Sequence, residues 1–264
     1  MFRGTSRAKI TVGIIVVAAA AASTGYLLSQ GGGPAPTHSR PPAAAPTRSA
    51  ATATPTASPF GTGRGVTTVA TVLRTTPRYA RPGRSATGTV PASWYDRRSV
   101  LPVIGIKPGW VHVRLAQRPD GSTAWLPASA VKLGSTPYRI VVNRTTTHLA
   151  LYKRGKLVFS APAGVGAADD PTPRGEYFVA FDEQPPQPNP GYGAFIMVTS
   201  AHSTSIGDWE GSGDAIIGIH GPLGMDAAIG TGGARISHGC IRLHEQALSG
   251  LSKVPPGTPI DVIG

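Results

Sequence analysis

A single cysteine, Cys240, occurs in 264 residues. That excludes an intrachain disulfide. Neither Cys-x-x-Cys nor His-Glu-x-x-His occurs, and these are spacings that commonly hold zinc. A metal group drawn from His220, His238, Cys240 and His244 would lack such a spacing, so no metal and no cofactor is expected. Residues 1–30 have no cysteine, which excludes a lipid anchor attached there through a thiol. Residues 31–64 have no Asp or Glu. Pro, Ala, Thr, Ser and Gly dominate this tract, and it cannot bury enough apolar surface to offset its ordering entropy. It is expected to be a disordered linker. At ~3.1 Å per residue it could reach roughly 100 Å.

The N-terminus has what the linker lacks. Arg3, Arg7 and Lys9 precede the uncharged run Ile10–Leu28. A basic flank before an apolar run is the pattern of a segment inserted with its basic end inward. About 19 residues at ~1.5 Å each nearly match a hydrocarbon core of ~30 Å. The alanines at 18–22 also suit a small-residue cleavage site. Residues 1–30 therefore read as a signal anchor or a cleaved signal peptide. Either way the remainder is expected outside the cytoplasm, at the cell envelope, and nucleic acid is not an expected partner.

Charge divides the chain beyond the linker. Residues 65–136 hold ten Lys/Arg against Asp96 and Asp120, a formal +8. Residues 137–264 hold nine Lys/Arg against eleven acids, a formal −2. This asymmetry predicts a boundary near Gly134–Pro137 and two modules, 65–136 and 137–264. Anionic cell-wall polymers are the expected partner of the basic module, unless its charge only solvates a surface.

Both modules predict mostly β structure. "GVTTVATVLRTTP", "SVLPVIGIKPGWVHVRLA" and "STAWLPASAVKL" are short β-branched runs between turn residues. Asp120-Gly121 sits where a hairpin would turn. These closing runs resemble a small bacterial Src-homology-3-like β-barrel, in which Trp110 and Trp125 would be core or groove-wall rings. In the second module "YRIVVN", "HLALYK" and "KLVFSAP" predict three strands, with Arg154-Gly155 as a hairpin turn. "GEYFVA", "FIMVTS", "AIIGIH" and "PIDVIG" add more. Leu243, Ala247 and Leu251 have the spacing of a short helix after the cysteine. A nucleophile near that helix start would gain from its aligned amides.

A free thiol is either an inert buried group or a nucleophile. A nucleophile needs a base, something to orient that base, and amides for an oxyanion. His220 ends an apolar strand, His238 precedes Cys240 by two residues, and Gly239 removes bulk beside it. Either histidine could be the base on position alone.

His220-Gly221, with sixteen residues between His220 and Ser237, and then "SHGCIRL" resemble the signature of the YkuD-type L,D-transpeptidases. "GVGAADDPTPRGEYFV" resembles that family's Thr-Pro-x-Gly segment. His244 stands where many members have Asn. The resemblance implies a β-sandwich catalytic domain over roughly 137–263. It implies Cys240 as nucleophile and His220 as base and acid, with the Gly221 carbonyl orienting its ring. It implies an oxyanion hole of the His238, Gly239 and Cys240 amides. Ser237 and Arg242 would hold the loop or contact substrate. The implied partner is the peptidoglycan stem peptide, and the implied reaction is 3→3 cross-linking with loss of D-Ala. An L,D-carboxypeptidase and a non-catalytic wall-binding protein are the alternatives. The Pro-rich loop 182–193 is expected as a lid.

Overall fold

A computed structural model describes residues 65–264, so the expectations for 1–64 lie outside the described residues. No helix among the described residues is long and apolar enough to cross a membrane. The architecture is mostly β, as expected. The first sheet contains β1 (Thr67–Val72), β2 (Thr76–Tyr79) and β3 (Ala86–Val90). After the small ribbon β4 (Ser93–Trp94) and β5 (Arg97–Arg98) come β6 (Val100–Lys107), β7 (Trp110–Arg114), β8 (Thr123–Pro127) and β9 (Val131–Thr136). The seven-stranded order is β3-β2-β8-β7-β6-β1-β9. Along β7 the buried Val111 and Val113 alternate with Trp110, His112 and Arg114. This two-residue period fits a sheet wet on one face.

The second sheet begins one residue after the first ends. Its strands are β10 (Tyr138–Asn143), β11 (His148–Lys153), β12 (Lys156–Pro162), then β14 (Gly175–Glu183), β15 (Ile196–His202) and β16 (Ile216–His220). β18 (Ile241–Arg242), the helix α1 (Glu245–Ser249) and β19 (Pro259–Ile263) follow. A separate short pair joins β13 (Val165–Gly166) to β17 (Arg235–Ser237). Arg154 and Gly155 both have positive φ, 51° and 75°, and turn the β11–β12 hairpin. The eight-stranded order is β12-β11-β10-β19-β14-β15-β16-β18.

One strand folds this sheet on itself. Gly175–Phe178 of β14 pair with β19, and from Val179 onward the strand pairs with β15 across a register irregularity. A strand that changes partners at a bulge turns a corner. The two limbs then share one core, with Ile140, Val142 and Leu149 from one side and Met197, Ile217 and Ile219 from the other. This is how one continuous sheet makes a sandwich.

β14 also joins the two modules, being buried on both faces. Tyr177 and Val179 enter the second module's core, while Phe178 enters the first module's core beside Leu101 and Val103. Phe181 meets Trp94 and Tyr95. Three ion pairs cross the same interface: Arg97–Glu183, Arg114–Glu176 and Arg118–Asp214. Partly exposed pairs contribute about 0–1 kcal/mol each, and burying Phe178 contributes about 1.5–3. Apolar contact therefore dominates the docking. The described residues form one compact unit.

Candidate active site

The parallel pairing of β16 with β18 sets Ile219 opposite Ile241 and His220 opposite Arg242. Cys240 lies just before β18 and so falls beside Gly218. The Gly218 N–H points at Cys240 Sγ over 3.4 Å. A Cβ on Gly218 would stand 3.8 Å from His220 Cδ2 and 3.2 Å from Ile196 Cγ2. Gly218 is thus the shared floor beneath thiol and imidazole. Its signal in the sequence is a glycine interrupting an apolar strand, which marks a close approach.

His220 is buried, and its Nδ1 lies 2.8 Å from the Gly221 carbonyl oxygen. A carbonyl only accepts, so Nδ1 carries the proton and Nε2 keeps a lone pair. The ring packs edge-on against Tyr192 at 5.0 Å. Gly221 is held in turn, its N–H donating to the Tyr192 carbonyl at 2.7 Å. Burial pushes the His220 pKa down to about 4, with Arg242 adding to the effect and the Gly221 bond opposing it. Burial pushes the Cys240 thiol up, against smaller opposing effects of Gly218 and Arg242. The resting pair is a neutral thiol and a neutral imidazole.

This corrects the expectation that a helix start activates the cysteine. β18 and His244 intervene, α1 begins only at Glu245, and it is five residues long. Cys240 instead sits in a turn braced by hydroxyls. Ser237 Oγ donates to the Cys240 carbonyl at 2.6 Å and accepts from Gly239 N–H at 3.2 Å. Thr172 Oγ donates to the Gly239 carbonyl at 2.7 Å and accepts from Gly166 N–H at 2.9 Å. Gly239 has φ +116°, and a Cβ there would stand 2.7 Å from Ile217 Cδ1, so only glycine fits. The Gly239 amide faces Ser237, and this removes one of the three expected oxyanion donors. Among the described residues the amides of His238 and Cys240 have no protein acceptor.

Arg242 is buried, at 5% exposure. Its backbone exchanges two 2.8 Å bonds with Gly164, and its buried Nε has no hydrogen-bond partner among the described residues. His238 turns elsewhere: it is half exposed, with Nε2 3.8 Å from Asp170 and its ring 5.4 Å from Trp209. His244 bonds Asp226 at 2.7 Å. No cluster of three or more His, Cys, Asp or Glu among the described residues is placed to hold a metal. The Pro-rich loop is tied down as a wall. Asn189 caps Gly191 and Tyr192, Glu245 accepts from Ala194 N–H, and Leu223 N–H donates to the Gly191 carbonyl.

Residues 137–262 match the family profile of YkuD, the L,D-transpeptidase catalytic domain. This part of the chain belongs to the YkuD family. A Bacillus licheniformis protein carrying the name L,D-transpeptidase YkuD is 33% identical over 129 residues, 48% of this chain and 66% of that one. A Bacillus subtilis protein carrying the name L,D-transpeptidase YqjB is 29% identical over 146 residues, 53% of this chain and 77% of that one. A solved L,D-transpeptidase from Mycobacterium smegmatis shares 17% identity, with a TM-score of 0.38 over 61% of this chain and 80% of that one. The family profile begins at 137 and leaves the first sheet outside it.

Within the YkuD-type domain, Thr172 opens the Thr-Pro-x-Gly segment, and its bracing role appears only in the fold. Its hydroxyl is buried and serves two backbone groups. Thr172→Val leaves Gly239 C=O and Gly166 N–H unpaired, which costs about 1–3 kcal/mol for an unsatisfied buried group. The denaturant midpoint should fall, and Thr172→Ser should restore most of it. Equal midpoints for Val and Ser would show that the hydroxyl braces nothing.

Proposed function

We propose that the YkuD-type domain is a peptidoglycan L,D-transpeptidase working by cysteine acyl transfer. The observation that carries this reading is the tautomer of His220. Its Nδ1–H is held by Gly221, so Nε2 is the free base on the side shared with Cys240 through Gly218.

The thiol attacks the carbonyl between the third residue of a stem tetrapeptide and the terminal D-Ala. As the S–C bond forms, the thiol proton passes to His220 Nε2. The carbonyl electrons move to oxygen, where the His238 and Cys240 amides receive the charge. The intermediate collapses, the C–N bond breaks, and His220 returns its proton to the departing D-Ala amine. An amine of a second stem then attacks the thioester, loses its proton to His220, and regenerates the thiol as a 3→3 cross-link forms. Arg242, a buried side chain whose Nε has no partner among the described residues, is the receptor for the carboxylate of the departing D-Ala. A buried charge is stable only when paired, so substrate supplies what the fold omits. The YkuD-type domain's substrate lies in the wall, which argues for a position outside the cytoplasm.

The test is mass spectrometry with a stem tetrapeptide and with a carbapenem. A carbapenem is a strained amide that presents its carbonyl to the same thiol. The expected results are D-Ala release with dimer formation, and a covalent carbapenem adduct absent from Cys240→Ala. D-Ala release without dimer would make the protein a carboxypeptidase. No release and no adduct would leave a non-catalytic wall-binding protein.

A further inference from the structure

The solvent-facing side of the first sheet carries an aromatic row that chemistry at Cys240 does not use. Tyr79 on β2 stands in register with Trp125 on β8, and Trp125 with His112 on β7. His112 in turn faces Gly105 on β6. The Trp125 indole lies flat on the His112 imidazole, with centroids 4.6 Å apart and planes 6° apart. Its Cη2 comes within 3.8 Å of where a Gly105 Cβ would stand. Two strand spacings of ~4.8 Å separate β8 from β6, so the indole lies across the sheet instead of standing up from it. A longer side chain at 105 would occupy its path.

Cations flank this floor. Lys107 Nζ lies 5.0 Å from the Trp125 ring centroid. Tyr79 meets Trp110 edge-on at 4.9 Å, and the exposed Arg81 and Arg84 lie in the turn just after Tyr79. His112 remains a neutral stacking partner, because burial, Arg114 and Lys107 all lower its pKa. Arg97, Arg114 and Arg118 are occupied by acids of the second module, but among the described residues seven of the ten Lys/Arg in 65–136 are not. Flat rings left part-exposed beside unneutralised cations fit a ligand that is both ringed and anionic.

We propose that this face binds an acidic polysaccharide, with the CH face of a pyranose on the aromatic row and its carboxylates on Lys107, Arg81 and Arg84. Bases of a single-stranded nucleic acid could stack in the same way. A chain whose catalytic domain is read as working on the cell wall meets glycans instead. The proposal borrows that location but none of the chemistry at Cys240.

The test titrates the full chain with hexagalacturonate, maltohexaose, inorganic polyphosphate and a dT oligonucleotide. Hexagalacturonate should bind with salt-sensitive affinity, at least tenfold tighter than the other three. Trp125→Ala should weaken it about tenfold, the scale of one lost stacking contact, and Trp125→Phe should restore most of that. Lys107→Glu, at an exposed position, should weaken it without any change in the fold. Carbapenem acylation measured in parallel should stay at the wild-type level in all three variants, so a failure here stays separate from a failure of the catalytic reading. No binding of hexagalacturonate, or equal binding of maltohexaose, overturns the proposal. So does polyphosphate binding that matches it and ignores Trp125, or tighter binding of the dT oligonucleotide.

Discussion

Replacing His220 with Ala should lower acyl transfer from a stem tetrapeptide by about 10²–10⁴-fold, the usual contribution of a positioned acid–base group. The loss falls on two proton transfers, one to the departing D-Ala amine and one from the acceptor amine. Carbapenem acylation should fall less, because ring opening releases strain and leaves no separate amine to depart. His238→Ala gives the contrast. Its side chain is half exposed and faces Asp170, while the amide proposed for the oxyanion survives the substitution. Its effect should stay below about tenfold, which is less than an acid–base group supplies. Single-turnover acylation of folded variants with both substrates distinguishes the two. Should His238→Ala prove the more damaging on the stem peptide, the base is misassigned.

Sequence ranks the two histidines only by resemblance. Geometry supplies the physical reason, because Nδ1 of His220 has a fixed acceptor and Nε2 does not. Cys240 and His220 are legible because each sits in a short local motif. Thr172 is legible only as part of the Thr-Pro-x-Gly segment and Gly218 only as a glycine interrupting an apolar strand; what each does comes from a contact 67 residues away in sequence and from register. The helix-start expectation fails for a local reason. The periodic residues predict a helix after the cysteine, and α1 is there, but four residues, Ile241 to His244, separate it from the thiol.

Charge is only partly legible as well. The +8 of residues 65–136 predicts a polyanion outside the protein. Three of those ten cations face acids of the second module, so some of the asymmetry is complementarity between the halves. Trp110 and Trp125 are expected as core or groove-wall rings. The alternation along β7 and β8 turns them outward, because Val111, Val113, Ala124 and Leu126 already fill the inner face. Strand periodicity holds this information, whereas the size of a tryptophan alone points inward.

The neutral resting pair also bears on the expectation that this unpaired thiol lies outside a reducing compartment. Oxidants and disulfides react with thiolate far faster than with thiol. Cys240 is 8% exposed, and burial raises its pKa. On the proposed mechanism the site therefore keeps Cys240 protonated until a substrate carbonyl is present to take the electron pair.

That same burial makes the fold sensitive to acid through His220. Its pKa is about 4 in the folded protein and about 6.5 in an unfolded chain. Between those values the unfolded chain binds a proton that the folded site refuses. Stability therefore falls as pH drops from about 6.5 toward 4, and it is unaffected by this group above about 7. At ~1.36 kcal/mol per pKa unit the loss reaches about 3 kcal/mol near pH 4. His220→Gln cannot titrate, and its amide N–H can still reach the Gly221 carbonyl. Carboxylates elsewhere titrate equally in both proteins, so the difference in denaturation free energy between wild type and His220→Gln isolates the histidine. That difference should change by about 3 kcal/mol between pH 7 and pH 4, in the direction that favours the variant in acid. The acid limb of wild-type acylation should follow the same group and appear near pH 4, far below the ordinary histidine range. Parallel stability curves for the two proteins, with an acid limb near pH 6.5, would mean that His220 is solvated and that the neutral resting pair is wrong.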